Sequence, residues 1–228
     1  MPFQGLSRRT CILIAICFAA AALVAVLVRG GEDGPLHRVD EGILLALRNP
    51  LDRADPVGPL WMEIFFRDVT ALGSHAVIVL VGLVVAGYLA LQRERASVML
   101  LAASLAGGAI LSASLKLAFG RPRPELVAHL ADIHTASFPS GHAMLSAVAY
   151  LTLAGLLARV QPQPRLRRFV IAVGIGTTAL VGISRVYLGV HWPTDVVAGW
   201  LLGAAWALTC RAIADRIEGR RFRLRTDG

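Results

Sequence analysis

The chain has 228 residues, 56% of them hydrophobic, and a mean hydropathy of +0.63. A soluble domain of this size has fewer apolar residues, so the composition excludes an ordinary soluble protein and indicates an integral membrane protein. The formal net charge is +8, but the basic residues cluster at the ends of apolar runs and are not interleaved with aromatic residues, so no nucleic-acid partner is predicted.

Six apolar runs are long enough to cross the hydrocarbon of a bilayer, which takes about 17 to 25 residues. They cover residues 11–28, 71–91, 98–119, 142–158, 169–190 and 193–213. These runs predict an all-α fold, a bundle of six transmembrane helices that forms one domain over residues 1–228. The first run could instead be a cleaved signal peptide. Its apolar part is longer than a typical signal core and no convincing small-residue cleavage site follows, which favours a retained anchor.

Residues 30–70 form the one long polar segment, in which acidic residues balance the arginines. Within it, residues 39–47 and 60–69 have apolar side chains at mixed spacings of three and four. This spacing predicts short helices that lie on the membrane surface. Neither stretch carries a recognisable motif. The segment could form a lid over the site or a surface that selects lipid head groups, and the sequence leaves both roles open.

The arginines predict the orientation, because lysine and arginine accumulate on the cytoplasmic side of membrane proteins. One side collects the arginines within residues 8–9, 93–95, 159–168 and 211–225. That side is predicted to be cytoplasmic, with both termini inside and a basic tail over residues 214–228. Cys11, Cys17 and Cys210 lie inside apolar runs without metal-ligand spacing, so neither a disulfide nor a metal site is predicted.

Three polar segments fall on the predicted outer side, and the first follows the third apolar run. Lys116, the only lysine in the chain, lies near the end of that run, and two prolines then extend the chain and project Arg121 and Arg123 beyond it. Guanidinium forks and an ammonium group suit phosphate oxygens. Basic side chains reaching for the membrane surface are the alternative, although positive residues are disfavoured on the outer side.

The second segment, residues 137–142, directly precedes the fourth run. Ser140 followed by Gly141 at a helix start exposes backbone N–H groups and the positive end of the helix dipole, which favours anion binding. His142 would then face the bound anion. An ordinary helix start is the alternative for this segment taken alone.

The third segment, residues 184–195, joins the last two runs. Asp195 follows His191 by four residues within the first turn of the predicted helix. A carboxylate there can accept the proton of one imidazole nitrogen and leave the other as a nucleophile or base, whereas a purely structural histidine–aspartate pair is the alternative. Arg185, near the outer end of the fifth run, is predicted to point at the same mouth.

The three segments together resemble the three-part signature of the type 2 phosphatidic acid phosphatase superfamily. The matching residues, in order and spacing, are Lys116 with Arg123-Pro124, then Pro139-Ser140-Gly141-His142, then Ser184-Arg185 with His191 and Asp195. The resemblance covers residues 70–210, and the first apolar run fits the six-helix membrane branch of the family.

The resemblance implies a role for each matching residue. His191 would attack phosphorus and form a phosphohistidine, Asp195 would orient and charge its ring, and His142 would protonate the leaving oxygen and later help to activate water. The implied phosphate-binding residues are Lys116, Arg123, Ser140, Gly141 and Arg185. No metal or cofactor is expected, since no carboxylate cluster suited to magnesium is evident.

The function implied is a phosphatase of the inner (cell) membrane that acts on a phosphorylated lipid at the side facing the periplasm or cell exterior. Undecaprenyl pyrophosphate, phosphatidylglycerol phosphate and phosphatidic acid are candidate substrates, and the sequence does not choose among them. Transfer of the phosphoryl group to another lipid or sugar is one alternative, and a noncatalytic lipid-binding or transport protein is another. The oligomeric state and the participation of Arg121 are open. Exposure to solvent is predicted for three other outer residues, His129, Asp132 and His134, whereas His75 could face a head group or lie at the membrane interface.

Overall fold

The computed structural model describes residues 8–28, 34–131 and 135–226. Within these ranges the chain forms eight helices and one short β-ribbon. The helices are α1 (Arg8–Val28), α2 (Pro35–Ala46), α3 (Leu60–Ala71), α4 (His75–Leu91), α5 (Arg95–Phe119), α6 (Gly141–Val160), α7 (Pro164–Tyr187) and α8 (Pro193–Thr226). The ribbon pairs β1 (Arg48–Asn49) with β2 (Asp52–Pro56) in antiparallel fashion.

In the described part of the chain, four helices are long and apolar enough to cross a membrane: α5, α6, α7 and residues 193–218 of α8. A fifth span is counted if α3 and α4, which meet at a 50° bend, are taken as one. The apolar part of α1, Thr10–Val26, is shorter. An all-helical, multi-pass membrane protein is thereby confirmed, and the count of six spans stays a prediction.

The second predicted run, residues 71–91, is divided by the break between α3 and α4. Ser74 caps α4 by accepting a hydrogen bond from the Val77 N–H at 3.3 Å. Gly73 is buried where a Cβ atom would lie 3.2 Å from the His142 ring. The chain therefore bends at these two residues, and the beginning of α4 lies beside the beginning of α6.

Helix α6 is the central helix of the bundle and packs mainly against α7, α8 and α5. Ala143, Ala147 and Val148 are completely buried along it. Small residues allow α8 to approach closely, because a Cβ atom on Gly199 would lie 2.9 Å from the Ser140 carbonyl oxygen. Close helix contact through small residues is typical of membrane bundles. This packing fixes the start of α8 directly beside the start of α6.

The described part of the polar segment, residues 34–70, docks on the ends of α6, α7 and α8 and is called the outer segment after its predicted side. Its helices α2 and α3 match the two stretches where short helices were predicted, whereas the β-ribbon between them was not predicted. Asn49 and Asp52 shape the tight turn of the ribbon, since their side chains accept hydrogen bonds from nearby backbone N–H groups. Leu44 of α2 is completely buried against Trp192 and Val196. The segment is thus part of the packed structure around the site.

Candidate active site

The end of α5 places the first polar segment. Gly120 adopts a left-handed conformation (φ +55°) and its N–H donates to the Lys116 carbonyl oxygen, which ends the helix. Beyond it the chain runs across the outer end of the bundle toward the start of α8. Trp192 Nε1 donates to the Pro122 carbonyl oxygen at 3.1 Å, which holds this crossing in place.

The start of α6 forms the predicted helix terminus. Ser140 is its N-cap and accepts from the Ala143 N–H at 3.5 Å, while its own N–H donates to the Asp195 carbonyl oxygen at 3.0 Å. A Cβ atom on Gly141 would lie 3.5 Å from Lys116 Cε. The lysine side chain therefore passes over the positive end of the helix dipole, and both features favour an anion at this point.

The link between α7 and α8 places His191. Gly189 adopts a left-handed conformation (φ +73°), and a Cβ atom there would lie 2.8 Å from the Ala128 carbonyl oxygen. Glycine is therefore required for this tight turn. The turn brings His191, which is 1% exposed, and Asp195, which is 0% exposed, into the middle of the outer end of the bundle.

The two ring nitrogens of His191 have different surroundings. Nε2 lies 3.2 Å from Arg123 Nη1, and the same arginine nitrogen donates to the Val190 carbonyl oxygen at 2.6 Å. Nδ1 lies 3.3 Å from the Ser137 hydroxyl. A proton on Nδ1, directed at that hydroxyl, leaves Nε2 unprotonated, and its lone pair then faces the Arg123 guanidinium as an acceptor.

Asp195 reaches the histidine mainly through Ser137. Its Oδ2 is 3.6 Å from His191 Nδ1, and Ser137 Oγ donates to that same carboxylate oxygen. Trp192 N–H also donates to Oδ2 at 3.2 Å. Direct pairing of Asp195 and His191 was expected from their spacing, whereas the structure has a hydroxyl between them. The sequence analysis did not assign Ser137 to the site, and its only signal was its place within the second polar segment.

Burial lowers the pKa of His191 well below its ordinary value of about 6.5. The positive charges of Arg123, Arg185 and Lys116 lower that pKa further. The imidazole is therefore neutral at neutral pH, which is the state in which Nε2 can act as a nucleophile. The same effect shows that the three predicted cations lie close to the ring.

These three cations use only some of their N–H donors in hydrogen bonds to other protein groups. Lys116 Nζ donates to the Ala136 carbonyl oxygen at 2.5 Å, and Arg123 Nε donates to the Thr135 carbonyl oxygen at 2.8 Å. Arg185 Nη1 donates to Thr70 Oγ1 at 3.0 Å. Among the described residues, Nε of Arg185 is buried without a hydrogen-bond partner. A group of positive donors around a neutral histidine suits a phosphate ester, whose charge is spread over its oxygens.

Arg121 has a different set of partners from the other basic residues. Its Nη1 donates to Asp195 Oδ1 at 2.5 Å, and its Nη2 donates to Asp40 Oδ2 at 3.0 Å. Arg121 therefore contacts the site on the side of the carboxylate. Asp40, from α2, was not assigned by the sequence analysis, since it lies in the segment without a motif.

His75 and His129 are two further histidines on the predicted outer side. His129 is exposed, as predicted, and His75, at the start of α4, is exposed as well. His129 Nε2 lies 2.5 Å from the Pro124 carbonyl oxygen. Asp132 and His134 lie outside the described residues.

A comparison with protein families decides what this arrangement is. The family model of the PAP2 superfamily matches residues 97–218, a stretch that contains all three polar segments. The chain belongs to the PAP2 superfamily. The predicted family membership is thereby confirmed.

Relatives in the PAP2 superfamily include phosphatidylglycerophosphatase B of Bacillus subtilis. It is 30% identical over 164 residues, which are 72% of this chain and 79% of that protein. The undecaprenyl-diphosphatase of Sulfolobus acidocaldarius is 44% identical over 68 residues, which are 30% of this chain and 29% of that protein.

The crystal structure of a transmembrane PAP2 type phosphatidylglycerolphosphate phosphatase from Bacillus subtilis has a similar fold. Its TM-score is 0.79 at 26% sequence identity, over 90% of this chain and 96% of that chain. The predicted class, a membrane phosphatase of the PAP2 type that acts on lipid phosphates, is thus confirmed.

Proposed function

We propose that the protein hydrolyses the phosphate or diphosphate head group of a membrane lipid through a phosphohistidine on His191. The observation that carries this proposal is the asymmetry of that buried ring. Nε2 lies 3.2 Å from a cationic donor, while Nδ1 lies 3.3 Å from the hydroxyl that links it to Asp195. This is the arrangement that a neutral nitrogen nucleophile needs for attack on an anionic phosphorus centre.

In the first step, the substrate phosphate binds among the positive donors. The residues proposed to hold its oxygens are Lys116, Arg123 and Arg185 together with Ser140 and the backbone N–H of Gly141. Nε2 of His191 forms a bond to phosphorus as the bond between phosphorus and the leaving oxygen breaks. His142 donates a proton to that oxygen. The ring, now positively charged, keeps its Nδ1 proton directed at Ser137 and Asp195.

In the second step, water replaces the departed lipid. His142, now neutral, takes a proton from the water as its oxygen attacks phosphorus, and the bond between phosphorus and Nε2 breaks. Inorganic phosphate leaves, His191 is neutral again, and His142 is again protonated. The positive side chains supply the charge stabilisation in both steps, so the mechanism is metal-independent.

The proposed substrates are lipids whose phosphate lies at the outer surface while the tails stay in the bilayer. The site lies at the ends of α5 to α8, so a lipid can present its head group without leaving the membrane. Phosphatidylglycerol phosphate and undecaprenyl pyrophosphate are candidates because relatives named for these substrates share the family. Phosphatidic acid offers the same chemistry.

We extend the proposal to the topology of one domain over the whole chain. The four span candidates, the bent pair α3 and α4, and the apolar part of α1 together give six crossings. Arginines at the opposite ends of these helices support cytoplasmic termini and an inner membrane location, with α2 on the outer side. The site then faces the periplasm or cell exterior.

Phosphate release by the purified protein in detergent tests the function on a panel of the three lipid phosphates. The expected result is release from at least one lipid, unaffected by a metal chelator and abolished by His191→Ala. Activity that survives this substitution, or that a chelator removes, would contradict the proposed mechanism. Product masses would reveal transfer to an acceptor other than water.

A further inference from the structure

Asp40 is completely buried, although it belongs to a helix of the outer polar segment. Its carboxylate accepts three hydrogen bonds, from Thr194 N–H at 2.9 Å, Thr194 Oγ1 at 2.5 Å and Arg121 Nη2 at 3.0 Å. A buried carboxylate is tolerated only when it is paired in this way. Two of the donors belong to the first turn of α8, the turn that also carries Asp195.

Arg121 connects Asp40 to the residues around the histidine. Its guanidinium lies between two buried carboxylates, with Asp40 on one nitrogen and Asp195 Oδ1 on the other. The fork is planar and rigid, so fixing one nitrogen fixes the other. Arg121 Nη1 also donates to Thr194 Oγ1 at 2.9 Å, so Arg121, Asp40 and Thr194 are all hydrogen-bonded to one another.

A continuous chain of contacts therefore runs from the outer segment to the reacting nitrogen. From Asp40 it passes through Arg121 and Asp195 to Ser137, which contacts His191 Nδ1. We infer that Asp40 is a positioning residue for the phosphatase reaction, which holds Asp195 against the ring of His191 by way of Arg121. The inference rests on the proposed function, and it gives the outer segment a part in catalysis.

The charges of this chain suit the proposed reaction. Two carboxylates share one guanidinium, so these three side chains carry one net negative charge beside the imidazole. The ring becomes positive when Nε2 bonds to phosphorus, and a fixed negative charge stabilises that state more than the neutral one. Replacing Asp40 with Asn keeps the shape of the side chain and removes this charge.

A residue could also matter only because it attaches the outer segment to the helix bundle, without orienting His191. Arg48 is such a residue. Arg48 is buried and its Nη1 donates to the carbonyl oxygens of Leu47 and Tyr187, both at 3.0 Å. These contacts tie β1 to the end of α7, and no contact leads from Arg48 to Asp195. Arg48→Met therefore measures what loosening of the segment does to the enzyme, and Asp68→Asn, at an exposed position of α3, controls for the loss of one carboxylate.

The experiment compares kcat and KM for phosphate release by Asp40→Asn, Arg121→Gln and the double variant. We expect Asp40→Asn to lower kcat by about 10-fold, the lower end of the range seen for residues that orient metal ligands, with KM unchanged. The double variant should be no slower than the slower single variant, since both act along one chain of contacts. Inhibition by inorganic phosphate should stay as in the wild type, because the phosphate donors are untouched.

Three results would overturn the inference. Asp40→Asn could turn over as fast as Asp68→Asn, the two single effects could multiply in the double variant, or the loss could match that of Arg48→Met at equal thermal stability. If Asp40→Asn does not fold, Asp40→Glu takes its place; it keeps the charge but displaces it, and an unchanged kcat would overturn the inference. Wild-type protein that releases no phosphate from any lipid would contradict the proposed function instead.

Discussion

Two groups of charged residues surround His191, and they are bonded in opposite ways. In the first, which we call the carboxylate network, Asp40, Arg121, Asp195 and Ser137 bond to one another and are buried or nearly so. In the second, the cation cluster, Lys116, Arg123 and Arg185 donate mainly to backbone carbonyl oxygens and to the hydroxyls of two threonines.

The difference shows which group is built to change during a reaction. The carboxylate network satisfies its charges internally and therefore holds one geometry. Among the described residues, the cation cluster has no carboxylate partner within hydrogen-bonding distance. Its positive charges are therefore available to pair with a bound anion. The carboxylate network thus orients the nucleophile, and the cation cluster binds the phosphate.

The largest effect is expected in the carboxylate network at Asp195. Asp195→Asn should lower kcat by about 10⁴-fold, by analogy with loss of the orienting carboxylate in other catalytic histidine systems, because the amide carries no charge to stabilise the ring or to pair with Arg121. Phosphate release at saturating lipid measures it. Asp215→Asn, toward the other end of the same helix, is the matched control and should change little. A comparable kcat in the two variants would contradict the claim that the carboxylate network orients the nucleophile.

A smaller effect is expected in the cation cluster. Arg185→Lys should lower kcat/KM by about 10²-fold, as loss of a fixed donor to developing negative charge does elsewhere. Lysine keeps the charge but loses the fork that reaches both Thr70 and the site. Weaker inhibition by inorganic phosphate should accompany the loss. Arg159→Lys, at the C-terminal end of α6, should leave both quantities unchanged, and equal behaviour of the two variants would contradict the assignment.

The hydroxyl between Asp195 and His191 is expected to matter less. Ser137→Ala should lower kcat by about 10-fold, a loss of about 1.4 kcal/mol of transition-state stabilisation, the scale of one hydrogen bond. Affinity for inorganic phosphate should not change, because Ser137 contacts the Nδ1 side of the ring. An unaltered kcat, or a loss confined to KM, would show that the carboxylate orients His191 without the serine.

The smallest effect is expected in the pH dependence of stability. The pKa of His191 is lowered in the folded protein, so the unfolded chain binds more protons as the pH falls below about 6.5. This histidine therefore contributes stability above that pH that is lost progressively below it. Burial raises the pKa of Asp40, which has the opposite effect on stability as the pH falls. The melting temperature of the wild type should fall by a few degrees more than that of His191→Asn between pH 7 and 5, and parallel curves would contradict a neutral buried ring.

The sequence predicted the cation cluster far better than the carboxylate network. Lys116, Arg123 and Arg185 stand out because positive residues are disfavoured on the predicted outer side. Asp40 lies among other acidic residues, and nothing local indicates that it reaches Thr194, 154 positions along the chain. Only the packing of α2 against the ends of the bundle brings the two together.

Local geometry explains the other differences between sequence and structure. The spacing of His191 and Asp195 predicts one helical turn between them, but it cannot show that the Ser137 hydroxyl enters the gap. Hydropathy places residues 71–91 in one run because Gly73 and Ser74 hardly lower its average. Their effect is conformational: the serine caps α4 and the glycine allows α6 to approach.

Trapping the phosphoenzyme tests the central claim most directly. Wild-type protein mixed with a lipid carrying a ³²P-labelled phosphate is quenched with alkali, and the labelled peptide is identified by mass. We predict label on His191, none in His191→Ala, and slower labelling in Asp40→Asn with the same label position. Label on another residue, or turnover without any labelled protein at early times, would contradict the account.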